Sequence, residues 1–199
     1  MKSNVCKIEK GTKDLAAILA ESEKVAVYNE LTHKQSLQLR LLCEELDGML
    51  PNVIGDFDGD LWFEFEDGVC KVKASIEIAD MTSEERRDLI AVAKDKKNAA
   101  AVGIVGKIRS ALEDFFLDEQ AMMPLGASAS FLPLATGYSE GVDYSCLWSL
   151  SQYRKEYADT PKEEEWDALE KSVIASVADD IIVGIKGKKA DIVIVKKFA

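Results

Sequence analysis

The chain of 199 residues has one histidine, His33, and only four prolines and four cysteines. A Ser-His-Asp triad or a Cys–His nucleophile would have to use that single imidazole, and no GxSxG elbow accompanies it. His33 follows Thr32 at a helix start and reads as a first-turn surface residue. The cysteines, Cys6, Cys43, Cys70 and Cys146, are too widely spaced for a zinc knuckle or a CxxC redox pair. They read as buried free thiols of a reducing compartment. Basic residues are in deficit: 25 Lys plus Arg stand against 36 Asp plus Glu, a net charge of −11. Neutralising a phosphate backbone needs the opposite balance, so no nucleic-acid partner is expected. No apolar run approaches the roughly 18 residues of a membrane span. The first six residues lack an apolar signal core, and the expectation is a cytoplasmic protein without membrane contact.

With 47% apolar and 31% charged residues, the composition is that of an ordinary globular protein. Three capping boxes announce helices. Thr32-His-Lys-Gln35 opens one over 35–50, with Leu39, Leu42, Leu46 and Met49 as its stripe and Pro51 as its end. Thr82-Ser-Glu-Glu85 opens a second, to about residue 94. Thr160-Pro-Lys-Glu163 opens a third, with Trp166, Leu169, Val173 and Val177 on one face. A further helix is expected over 99–117, striped by Ile104, Ile108, Leu112 and Phe115. Alternation predicts strands over 61–66 and 69–78, joined by an Asp67-Gly68 turn. Two more are expected over 180–185 and 190–195, and a short one over 25–28. Strands that come in hairpins predict an α+β two-layer sandwich, helices on one face of a mixed, mostly antiparallel sheet. One domain is expected over 1–199, with an irregular insert at about 118–143.

Charge is segregated along the chain. From Glu44 to Cys70 there are nine acidic residues and no Lys or Arg, whereas Val183 to Ala199 holds five Lys and one Asp. The plain reading is an acidic hairpin packed beside a basic one. The Asp56-Phe-Asp-Gly-Asp60 run mimics half a calcium loop, but Leu61 and Asp67 stand where that loop needs Gly and Glu. It reads as a tight acidic turn. The Trp62, Phe63 and Phe65 cluster reads as sheet packing.

The stretch Leu39-Arg-Leu-Leu-Cys-Glu-Glu-Leu-Asp-Gly-Met-Leu50 resembles the first helix of the GHKL nucleotide-binding fold, shared by gyrase, MutL, histidine kinases and kinase-like anti-sigma factors. The N-box of that family pairs Glu-Leu, here Glu45-Leu46, with an Asn four residues after the Glu. Met49 occupies the Asn position, and a thioether is a poor ligand for hard Mg²⁺, so the usual magnesium chelation is not expected. The family's adenine-binding Asp at a strand end corresponds to Asp80, although Met81 and Thr82 replace the glycines that should follow. Its phosphate-approaching turn corresponds to Gly103-Ile-Val-Gly106-Lys107, where glycines allow close approach and Lys107 adds a point charge. The order of elements matches across 25–198. Arg40 to Met49 and Trp62 to Glu64 are also similar to a group of clostridial-type ATP-binding, histidine-kinase-like proteins.

The resemblance implies an adenine-nucleotide-binding protein taking ATP or ADP. Glu45 is then the catalytic candidate, and Asp80, Gly103, Gly106 and Lys107 are the nucleotide-binding ones. Hydrolysis or kinase activity is not implied by so partial a motif set. Glu44 and Glu45 point about 100° apart on a helix and cannot share one site. Each candidate keeps a plain alternative: Glu45 as a helix-surface charge, Asp80 as a turn residue beside Thr82, the glycines as helix packing. The alternative function is a non-catalytic regulatory module on the same fold, gripping a protein partner or a second copy of itself.

Overall fold

The computed structural model describes residues 1–9, 15–53, 57–77, 104, 106–109, 111–112, 145–158, 172–186 and 189–198. The segments 82–102 and 118–143, the Thr82 and Thr160 boxes, Trp166 and Leu169 lie outside the described residues.

Thr32 and Gln35 form the expected reciprocal cap. The Thr32 N–H donates to Gln35 Oε1 at 2.8 Å and the Gln35 N–H to Thr32 Oγ1 at 3.4 Å. Helix α2 (His33–Val53) follows and buries Leu39, Leu42, Cys43, Leu46, Met49 and Leu50. It runs through Pro51 instead of stopping before it. The ring's fixed φ is already helical, and the hydrogen bond it forfeits falls in the last turn, where the helix is about to end.

The expected strand over 25–28 is instead the last turn of α1 (Leu15–Tyr28). Ile18, Ser22, Val25 and Ala26 recur at helical spacing and are all buried, which overrides the β-propensity of the valines. The helix ends in a Schellman arrangement: the Glu30 N–H donates to the Val27 carbonyl at 3.2 Å and the Leu31 N–H to the Ala26 carbonyl at 2.9 Å. Glu30 sits at the left-handed position, φ 55°, that glycine usually fills.

Among the described residues, six strands form one sheet: β1 (Cys6–Glu9), β2 (Asp58–Glu66), β3 (Val69–Glu77), β4 (Ser145–Ser149), β5 (Asp180–Lys186) and β6 (Lys189–Lys197). Their spatial order is β1-β2-β3-β6-β5-β4, and every pairing among them is antiparallel. The hairpins expected from alternation are β2–β3 and β5–β6. Asp67 and Gly68, at φ 49° and 76°, make the predicted two-residue turn. The acidic and basic hairpins are neighbours through β3 and β6, with Glu77 opposite Lys189. Strands β1 and β4 have no clear signal in the sequence.

The register sorts the side chains into two faces. Ile8, Leu61, Phe63, Cys70, Val72, Ala74, Ile76, Ala190, Ile192, Ile194, Ile181 and Val183 share the inward face and join the helices in one core. Gly59 lies on the same face, where a Cβ would come within 2.5 Å of the Ser75 carbonyl oxygen. Lys7, Asp60, Trp62, Glu64, Lys71, Lys73 and Ser75 take the other face.

Strand β4 leads directly into α3 (Leu150–Ala158). Asp180 Oδ1 accepts the Ser151 N–H at 2.9 Å and so caps this helix from β5. Before β5 stands α4 (Val173–Val177). Of the expected inner face, Val177 packs against the core and Val173 does not, while Trp166 and Leu169 lie outside the described residues. Ser172, extended at φ −78° and ψ 118°, is the residue from which α4 starts. Ile174 and Ala175 are buried and Val173 is exposed.

A buried carboxylate ties the segment before β1 to α1. Glu21 Oε1 accepts the Asn4 backbone N–H and its amide Nδ2, both at 3.0 Å, and Oε2 meets Lys24 Nζ at 2.9 Å. The Lys24 hydrogen bond, helped by those from Asn4 and opposed by burial, holds the Glu21 carboxyl below its ordinary 4.5. A lowered folded-state value means the stabilisation is present above that ordinary value and is lost as pH falls through the folded one. Glu21→Gln therefore lowers stability near neutrality and flattens its decline below pH 4.5, read by urea melts across pH. A steeper decline in the variant would refute the clamp. Glu30→Gly relieves the left-handed backbone and raises stability by about 1 kcal/mol in the same assay.

Candidate functional site

The helix α2 positions the first candidate. Its core stripe faces the sheet, and the acidic pair sits along the edge of that stripe. Glu44 is engaged: Arg40 Nε reaches its Oε1 at 3.0 Å, and Arg40 Nη1 lies 3.5 Å from Glu23 on α1. Its neighbour Glu45 is half-buried and has no hydrogen-bond or ion-pair partner among the described residues. One carboxylate of the pair is therefore spent on the helix surface, and the other is held part-way out of water without a cation.

Met49, one turn beyond Glu45, is 5% exposed and belongs to the hydrophobic core. A soft sulfur among leucines does not fit Mg²⁺, which takes oxygen ligands and keeps several waters. Magnesium held in the family's manner does not suit this helix.

The second group lies on the helical residues 104, 106–109, 111 and 112. Ile104, Ile108 and Leu112 enter the core at the expected spacing. Gly106 is buried and Lys107 is half-buried. Lys107 Nζ stands 5.7 Å from the centroid of the Tyr153 ring, a cation–π distance. Tyr153, on α3, is 8% exposed and packs at 6.0 Å against Trp148, with the rings tilted by 44°. Sequence reasoning singles out neither aromatic. Their contact depends on the β4–α3 junction, where Ser149 Oγ accepts the Gln152 N–H at 3.3 Å; the Ser149-Leu-Ser-Gln152 cap is the signal that could have marked this helix. Asp80 and Gly103 lie outside the described residues; the described candidates are Glu45 on α2 and, separately, Gly106 and Lys107 on the second group.

Several charged side chains on the outer face of the sheet pair with one another, although Asp191 Oδ1 is buried there with no hydrogen bond among the described residues. Lys7 Nζ meets Asp60 Oδ1 at 2.6 Å. Glu64 accepts from Trp62 Nε1 at 3.0 Å and pairs with Lys73 at 2.6 Å, and Lys2 Nζ lies 5.1 Å from the Trp62 ring centroid. Burial pushes the Glu64 carboxyl up, but Lys73 and Trp62 outweigh it and hold the group below its ordinary range. Phe63 is buried inward, and Phe65 stacks on Phe198 at 6.2 Å. The aromatic cluster is thus sheet packing, as expected.

Asp58 and Asp60 belong to β2 and lie in a ladder, so the acidic run does not form a calcium loop. Among the described residues, no group of three His, Cys, Asp or Glu side chains is placed to hold a metal. The Cys43 thiol is pushed far up by burial and the Cys70 thiol to about 12 by the same cause, so both are inert at neutral pH. Among the described residues, no helix is long and apolar enough to cross a membrane. No family model matches the chain, and neither a curated protein nor a solved structure matches it.

An Asn at position 49, the residue an N-box has there, would put an amide in the core. Met49→Asn is expected to cost about 2–4 kcal/mol in urea unfolding and to gain no Mg²⁺-dependent stabilisation. A Tm that rises with added Mg²⁺ in the variant would contradict this.

Proposed function

We propose that the chain binds an adenine nucleotide, ATP or ADP, at a GHKL-like site formed along α2 and the 103–112 segment, without magnesium held by an N-box Asn. The observation that carries the reading is Glu45: half-buried, unpaired among the described residues, and in the Glu-Leu pair that the resemblance singles out. Charge supports it as well. From Lys96 to Leu112 the chain has Lys96, Lys97, Lys107 and Arg109 and no acidic residue, within a total of −11. An anion approaching this protein is repelled by most of it and attracted there. In this reading Asp80 takes the adenine amino group, the backbone at Gly103 and Gly106 admits the phosphates, and Lys107 neutralises them. Hydrolysis is not part of the proposal.

The second reading is a non-catalytic interaction module. It is favoured by the exposed Val27, Tyr28 and Leu37 at 79%, 73% and 51%. Such apolar side chains in solvent suit a protein partner or a second copy.

Calorimetric titration with ATP and ADP, with and without Mg²⁺, separates the two. The first reading expects binding that survives without Mg²⁺ and weakens about tenfold or more in Asp80→Ala, the loss of a charged hydrogen bond. Absence of heat and of any thermal shift at millimolar nucleotide removes it. The interaction module then stands, to be tested by light scattering and by pulldown.

A further inference from the structure

We infer that Tyr153 is a positioning residue that makes this site selective for nucleoside diphosphates and triphosphates over monophosphates, by holding the Lys107 ammonium in place. The inference rests on the nucleotide-binding reading above and assigns the site its specificity. A lysine on a free stem is a weak determinant of phosphate number, because fixing its rotamers on binding consumes much of the Coulomb gain. Here the ammonium is already placed, 5.7 Å from the Tyr153 centroid.

Burial and packing hold the ring. Tyr153 is 8% exposed, belongs to the core with Leu150, and is braced at 6.0 Å by Trp148 across the β4–α3 junction. Helix α3 is in turn capped by Asp180 through the Ser151 N–H, and Arg154 Nη2 donates to the Ala175 carbonyl at 2.6 Å. The platform under Lys107 is thus anchored to β5 and to the end of α4. Lys107 is half-buried, which strengthens its attraction for a phosphate relative to a solvated lysine. A pre-placed cation beside a buried glycine, Gly106, contributes to a second or third phosphate and little to the nucleoside.

The test is the ratio of ADP to AMP affinity, measured by calorimetry on the full chain without Mg²⁺. Wild type is expected to prefer ADP. In Tyr153→Leu the preference falls about two- to fivefold, the size of a partly exposed cation–π contact, and Tyr153→Phe, which keeps the ring, restores it. In a Lys107→Ala background Tyr153→Leu has no further effect on the ratio. Equal loss of ADP and AMP affinity in Tyr153→Leu marks a merely structural role and overturns the inference. So does a ratio that does not move, while nucleotide binding itself stands. Wild type that binds neither nucleotide overturns the nucleotide reading and the inference together.

Discussion

The structure depends on one act of burial: the leucine stripe of α2 laid on the inward face of the β2–β3–β6–β5 sheet. Leu39, Leu42, Leu46 and Leu50 are each at most 1% exposed, and so are Leu61, Phe63, Val72, Ile76, Ile192 and Ile194 across from them. Each such side chain contributes about 1.5–3 kcal/mol relative to exposure, so this contact outweighs any single polar interaction in the molecule. It fixes the register too. A one-residue slip of β3 against β6 would send Cys70, Val72, Ala74 and Ile76 to the charged face.

That constraint explains the division of labour along α2. The positions that face the sheet must be apolar, and Met49 is one of them. The chemistry available to this helix is therefore confined to its border, where Glu44 and Glu45 stand. Arg40 takes Glu44, and Glu45 remains the carboxylate with a free role. The same logic governs the 104–112 segment, where Ile104, Ile108 and Leu112 anchor the turn and leave Lys107 at its margin. Candidate site residues in this fold are edge residues of elements held by their cores.

Polar interactions in this fold join elements; the burial beneath them supplies the stability. Glu21 ties the segment before β1 to α1, Asp180 caps α3 from β5, and Asp179 Oδ2 accepts the Lys197 N–H at 2.6 Å and meets Lys196 at 3.2 Å. Each uses a carboxylate to satisfy a backbone N–H that the sheet or helix leaves open. The outer face also joins strands through charge, since Lys7 pairs with Asp60 directly across β1–β2 and Lys73 with Glu64 diagonally across β2–β3. An acidic chain thereby keeps its sheet from repelling itself.

The sequence by itself determined the strongly periodic parts: the capped α2, the β2–β3 hairpin with its Asp67-Gly68 turn, the β5–β6 hairpin, and the α+β class that follows from them. Their signals are local, a cap or an alternation read within ten residues. The end of α1 misleads at 25–28 because two valines favour a strand locally, whereas the buried row Ile18, Ser22, Val25 and Ala26 needs α2 to give it meaning. Strands β1 and β4 are short edge strands whose pairing is their only reason to exist, and pairing is not written in either one alone. The candidate site divides the same way. Glu45, Gly106 and Lys107 are candidates on the motif resemblance alone. The tertiary structure alone decided that Arg40 joins Glu44 to Glu23 on α1, that Met49 is sealed in the core, and that Lys107 rests over Tyr153. Each of these depends on a contact between separate elements or on burial imposed by the neighbouring layer, and neither leaves a local trace.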